Sequence, residues 1–129
     1  MIRGRVSPGL EPVLELGLVQ GDTVTVIPAV IDTGFSGMLC LAERYLTQMT
    51  LLFKFAEQYE LANGDLVRQQ VFAGRIVWDG RAQEVEVITT ASQDTLLGAT
   101  LLQPYPLTID YPNHEVRLTK NRRTKQNNT

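Results

Sequence analysis

From Pro12 to Val19 the chain reads PVLELGLV, and the alternation puts Leu14, Leu16 and Leu18 on one face. A period of two is the signature of a strand with one side in a core. Gly21-Asp22 punctuates the pattern before TVTVIPAVI resumes it, so a β-hairpin is expected from Pro12 to Ile31, with Pro28 marking a bulge or an edge position. The run MLCLAERYLTQM closes with a short helix around Ala42 to Gln48. Phe55, Glu57, Tyr59 and Leu61 then alternate up to Asn63-Gly64, RQQVFAGRIVW leads to Asp79-Gly80, and AQEVEVITT alternates again. Both dipeptides suit tight hairpin turns, so two consecutive hairpins follow. DTLLGATLLQPYP offers an apolar strand, a glycine and one or two helical turns before Pro104, and LTIDY, the turn PN and EVRLT make a last hairpin. The pattern predicts a mostly β, Greek-key or barrel-like domain of about eight to ten short strands, without internal repeats.

Length and charge narrow this picture. The 129 residues, 43% apolar and 20% charged, suit one domain with its own core. Four of the 12 basic residues, Lys120, Arg122, Arg123 and Lys125, sit in the terminal TKNRRTKQNNT, leaving eight against 14 acids. The division expected is a folded, acidic domain over 1–119 and a polar, basic, disordered tail over 120–129. An acidic body argues against a nucleic-acid partner. Cys40 is the single cysteine, which removes an internal disulfide and a cysteine metal cluster, and its leucine neighbours suggest a buried small hydrophobe. His114, the single histidine, lies in the turn YPNHEV, a poor position for a catalytic base. The N-terminal MIRGRVSPGLEP lacks the apolar segment of a signal peptide and no stretch is suited to span a membrane, so a cytoplasmic protein without membrane partners is expected.

The chemistry centres on AVIDTGFSG, Ala29 to Gly37. Asp32 follows the apolar Val30-Ile31, and a carboxylate at the end of such a strand is costly to bury unless it is paired or hydrogen-bonded. One use is local: Asp and Thr hydrogen-bond within a turn and Gly relaxes its backbone. The other is chemical, since a carboxylate at the rim of a core is only partly hydrated, and Gly34 lets a backbone N–H approach it.

VIDTGFSG, the later DTLLGATLL and the Asn-Gly hairpin between them, in that order, resemble the retropepsin-like aspartic proteases, particularly the small stand-alone bacterial and archaeal group similar to the retroviral enzymes. The resemblance runs from about Pro12 to Leu118. It implies an all-β, single-domain retropepsin-like (acid protease) closed barrel with a flap hairpin and one or two short helices. It also implies peptide-bond hydrolysis without metal or other cofactor. Asp32, Thr33 and Gly34 would be the catalytic loop, with Leu96-Leu97-Gly98 packed behind it. The family's chemistry needs two carboxylates, and Asp94-Thr95 is followed by Leu96 instead of glycine, so the resemblance implies a homodimer with one Asp32 from each subunit. Thr33 would hydrogen-bond across the dimer and the Gly34 N–H would support the acid. The hairpin from Tyr59 to Val67 would be the flap, with Ala62, Asn63 and Gly64 at its tip and Tyr59 on its shaft contacting a peptide or protein substrate.

Two departures from the family pattern stand out. Phe35 occupies a place where relatives carry alanine, serine or threonine; its ring would line or narrow the substrate pockets, favouring small side chains there, or turn into the core. Ser36 could restore a hydroxyl near the carboxylate. The tail is too polar for the interleaved termini of retroviral dimers, which leaves EVRL or the Asp32 loop as the dimer contact. Two uses of the fold stay open: a homodimeric aspartic endopeptidase, or a weak or inactive dimer that binds a peptide or protein segment in its cleft.

Overall fold

Leu14, Leu16 and Leu18 lie buried on β2 (Pro12–Gln20), facing Ala29, Ile27 and Thr25 of the antiparallel β3 (Thr23–Ile31). Gln20 pairs with Thr23 across a two-residue turn, and Gly21 takes the positive φ of +57° that this turn needs at its first central position. No bulge occurs at Pro28: the register stays regular through Glu15↔Pro28. The far side of β3 takes a partner only at Val30 and Ile31, so Pro28 lies on an open stretch of edge, where a missing donor costs nothing. The structure, a computed structural model, describes residues 1–120. The tail predicted to be disordered therefore lies outside the described residues, except for the exposed Lys120.

Three further strands complete the hairpins that the alternation foretells. In β5 (Leu52–Glu60) and β6 (Leu66–Trp78), Glu60 pairs with Leu66 and the loop closes through Gly64 N–H to Leu61 O (2.9 Å) and Leu61 N–H to Asp65 O (2.8 Å). Gly64 sits at φ +91°, so the Asn-Gly pair works as a turn followed by a left-handed glycine. Trp78 pairs with Arg81 at the start of β7 (Arg81–Thr90), and Asp79 and Gly80, at φ +50° and +80°, form the mirror-image turn that matches strand twist. Leu66–Gln70 of β6 pair only with β5, whereas Phe72–Trp78 pair with β7. The outer part of the β5–β6 hairpin thus projects beyond the body, and most of β5 is exposed.

The remaining elements lie where the sequence is less explicit. β4 (Leu39–Ala42) is buried at all four positions, so it has no polar face and no alternation to betray it. A 3₁₀ turn, Glu43–Gln48, replaces the expected short helix and starts one residue later. β8 (Leu96–Leu97) is only two residues long, and α1 (Ala99–Leu102) follows directly after Gly98. β9 (Leu107–Asp110) and β10 (Glu115–Leu118) form the last hairpin, with His114 in its turn at φ +57°. The N-terminal β1 (Ile2–Val6) is a strand that the sequence pattern does not predict; it pairs along β10 and at Arg5 and Val6 with β2.

The ten strands form one sheet in the order β5-β6-β7-β4-β8-β3-β2-β1-β10-β9, so the domain is all-β. β2 also pairs with β6 through Gly17↔Val77 and Leu18↔Ile76, so the strands from β6 to β2 in this order form a circuit, with β5 on one side and β1, β10 and β9 on the other outside it. The core inside this circuit comes from Leu16, Leu18, Leu39, Leu41, Ile76, Val87 and Leu97, all at or below 1% exposure. Trp78 and Tyr105 meet edge to face at 5.8 Å at one end of it. Among the described residues, no helix is long and apolar enough to cross a membrane.

Cys40 is the buried small hydrophobe that its neighbours suggest, and burial pushes its thiol above the ordinary range. Only the thiolate reacts readily, so an aromatic disulfide reagent is expected to modify Cys40 at least about tenfold more slowly in the native protein than in denaturant. A spectrophotometric thiol titration in both states measures this directly, and equal rates would contradict the burial of β4.

Candidate active site

The loop after β3 is built on hydrogen bonds to a strand far away in sequence. β8 pairs in parallel with β3 (Val30↔Leu96, Ile31↔Leu97) and antiparallel with β4, and so lies between two strands that follow each other in the chain. The N–H groups of Val30 and Asp32 donate to the carbonyls of Thr95 (2.8 Å) and Leu97 (2.9 Å). Asp32 is thus the last residue gripped by the sheet. Its carbonyl accepts Phe35 N–H at 3.1 Å, which closes a tight turn, and its Oδ1 accepts Gly34 N–H at 2.9 Å. Asp32 is half-buried, while Thr33 and Gly34 are exposed beside it. The turn use foreseen for Asp32 is met here, and its carboxylate remains reachable from solvent.

The far side of the turn is pinned to α1. A helix start leaves backbone N–H groups without partners. Here the N–H groups of Gly98, Ala99 and Thr100 donate to the carbonyls of Met38 (3.0 Å), Phe35 (2.7 Å) and Gly37 (3.1 Å), and the Thr100 hydroxyl donates to Ser36 O. This is the physical meaning of the glycine after Leu96-Leu97. A Cβ on Gly98 would overlap the Gly37 carbonyl oxygen and come within 2.6 Å of Phe35 Cδ2. Thr95, the buried polar residue at 1% exposure, accepts Ala42 N–H on its hydroxyl at 3.1 Å and ties β4 to the same scaffold. Sequence reasoning misses Thr95, although a polar residue directly before an apolar strand is a signal for it.

Phe35 is half-buried and does not turn into the core. Its ring lies against Gly37 and Gly98, and it also lines a cleft of about 470 Å³ together with Ser36, Met38, Tyr59, Val71 and Ile88. The ring therefore leaves space beside the loop instead of filling it. The cleft runs beneath the projecting hairpin, whose residues Glu57, Tyr59, Gln69 and Val71 contribute to its walls. Of the residues singled out in the sequence, Phe35, Ser36 and Tyr59 come together here. Asp32, Thr33 and Gly34 precede the cleft on the loop, and Ala62, Asn63 and Gly64 lie at the exposed hairpin tip outside its lining. The tip is internally ordered: Asn63 Oδ1 accepts Asp65 N–H at 3.0 Å, and Asn63 Nδ2 donates to Asp65 Oδ2 at 3.1 Å.

No family model matches the chain, and no curated protein matches it. Among solved structures, it is similar to the solution structure of simian foamy virus (mac) protease at 23% sequence identity. The similarity covers 70% of this chain and 91% of that one, with a TM-score of 0.49.

Glu57, Met38, Gln69, Glu86, Ile88 and Thr100 are cleft residues that the sequence does not reveal as such. Glu57 and Tyr59 stand on the same face of β5, and Glu57 pairs in register with Gln69. Glu86 on β7 is bonded to Lys54 Nζ at 2.9 Å, and that bond holds the Lys54 ammonium above the ordinary lysine range. Met38 spans the gap between loop and strand, its sulfur accepting Glu86 N–H at 3.5 Å. A second cavity, of about 440 Å³, opens near Val19, Thr50, Leu52 and Arg75 and includes no residue of the Asp32 loop. Its volume is comparable and Glu84 is in its lining, but the Asp32 loop borders the other cleft, through Phe35, Ser36 and Gly37.

Proposed function

We propose that this chain is an aspartic endopeptidase of the retropepsin-like kind, with a closed barrel, a flap and an active site that two copies build together. The observation that carries this reading is the setting of Asp32. Its carboxylate is oriented by Gly34 N–H at the solvent-exposed end of β3, on a loop whose position is over-determined by β8 and α1. A turn alone would not require a buried strand and a helix start to hold it.

In the proposed reaction the two Asp32 carboxylates of a dimer face each other and share one proton, as the paired acids of aspartic proteases do, because like charges that close cannot both ionise. The ionised member takes a proton from an attacking water while the protonated member gives one to the scissile carbonyl. The resulting tetrahedral adduct collapses to carboxyl and amine products, without covalent attachment to the enzyme. The β5–β6 hairpin closes over the bound peptide as the flap and excludes solvent. β10 has both edges occupied, by β1 and β9, so EVRL has no free edge to offer a second copy. The Asp32 loop is then the contact, with the exposed Thr33 hydroxyl available for the bond across the two-fold axis.

Dimerisation is the test of this reading. Sedimentation equilibrium should give a mass twice that of the 14.4 kDa chain, with the dimer favoured further by a bound peptide. Peptidase activity per chain should fall on dilution in parallel with the dimer fraction. A protein that stays monomeric with and without peptide, or cleaves equally well per chain at all dilutions, does not work this way. One observation favours the second reading, binding of a peptide with little or no hydrolysis: the cleft beside Phe35 is complete within one chain and needs no partner to form.

A further inference from the structure

We infer that the cleft beside Phe35 selects a peptide side chain with a long apolar stem and a cationic end, lysine or arginine, and that Glu57 is the residue that selects it. The inference deepens the peptidase reading by naming the substrate class of its cleft. Phe35, Met38, Val71 and Ile88 supply apolar walls. Two carboxylates, Glu57 and Glu86, stand among them. The ion pair to Lys54 neutralises Glu86 at 2.9 Å. Glu57 has no cationic partner among the described residues, so the cleft keeps one uncompensated negative charge.

This arrangement discriminates between occupants. A wholly apolar side chain would fill the walls but make no use of the exposed Glu57 carboxylate at the cleft. An acidic side chain would add repulsion. A lysine or arginine lays its methylene stem along the apolar walls and delivers its charge to the far end. The exposed Glu57 on the cleft wall is the carboxylate that can take this charge, and Tyr59 on the same face of β5 offers a ring that attracts cations. The acidic body would also draw basic peptides towards the cleft.

Binding and cleavage separate this inference from the peptidase reading. The full chain carrying Asp32→Asn is titrated with fluorescent decapeptides of one apolar frame that differ at a single, systematically moved position: lysine, arginine, norleucine or glutamate. At one position the lysine and arginine peptides should bind about three- to tenfold tighter than the norleucine peptide, the range of a partly exposed ion pair. The glutamate peptide should bind weakest, and the ratios should shrink as salt is added. Glu57→Gln should reduce the lysine-to-norleucine ratio to about one, and Glu57→Lys should turn the preference towards glutamate. Position 57 is exposed, so thermal melts should show both variants folded. Equal affinity for all four peptides, a basic preference that survives Glu57→Gln, or no binding at all overturns the inference. Hydrolysis of the same peptides by the chain with Asp32 intact reads the other question. Cleavage without a basic preference removes the role of Glu57 alone, whereas a Glu57-dependent preference in binding without any cleavage removes the peptidase reading and leaves the selectivity.

Discussion

Asp32→Asn is expected to lower peptide hydrolysis by about a thousandfold or more while leaving the protein folded. The amide is nearly isosteric and still accepts the Gly34 N–H on its oxygen, so the turn that closes on Asp32 survives. It cannot take a proton from water, and general acid–base contributions typically lie at about a hundred- to ten-thousandfold. Stability should be unchanged or raised, because in the proposed dimer two carboxylates would no longer be brought together. Mixing sharpens the test. Adding excess Asp32→Asn chain to a fixed amount of parent should quench the parent's activity, as subunits exchange into pairs that hold one carboxylate and one amide. Undiminished cleavage by the purified variant would place the chemistry elsewhere. Quenching that fails to occur, with dimers present, would show that each chain acts alone.

Gly98→Ala should have the second largest effect, and it acts without touching the acid. The added methyl meets the carbonyl oxygens of Gly37 and Phe35, backbone atoms that cannot swing away, as well as the Phe35 ring. The segment from Phe35 to Met38 must move, and with it the three N–H to carbonyl bonds from Gly98, Ala99 and Thr100. Overpacking of this kind costs about 1–3 kcal/mol, which lowers the melting temperature of a domain of this size by roughly 5–10 °C. The same movement displaces the turn that carries Asp32. Misplacement by about an ångström can cost a hundredfold in rate, so activity should fall even at temperatures where the variant is folded. Gly9→Ala is the control: a Cβ there comes no closer than 3.8 Å to other atoms, and neither melting temperature nor activity should change. A Gly98→Ala protein as stable and as active as its parent would mean that α1 does not brace the loop.

Local physics decided much of this protein within the sequence itself. Alternation in β2, β3 and β7 commits one face of each strand to the core, because successive side chains point to opposite sides, whereas the same alternation in β5 marks a strand that stays exposed. Asp79-Gly80 and Asn63-Gly64 permit the positive φ angles that reverse the chain, and Gly21 does the same with fewer neighbours to signal it. The Asp-Thr-Gly turn at the end of an apolar strand is likewise legible, since strand, acid and turn residues are adjacent in the chain. These features need no information beyond a few residues.

What the sequence did not disclose depends on contacts between residues far apart. β4 carries no alternation because both of its faces are covered, and β8, with two residues, is too short to have a period; each is a strand only because β7 and β3 lie beside it. β1, with a half-exposed pattern, is likewise completed by β10. Thr95 is buried and bonded only because Ala42 arrives 53 residues away in sequence. Whether Phe35 filled or lined a pocket was set by Gly37 and Gly98, two residues without side chains that leave its ring a place to lie. Glu57 reads as one polar position of an alternating strand until the fold places it in one cleft with Ile88 and Met38 and gives its neighbour there, Glu86, to Lys54. A side chain's periodicity says which way it points; only the packed chain supplies what it points at, and the charge left uncompensated there.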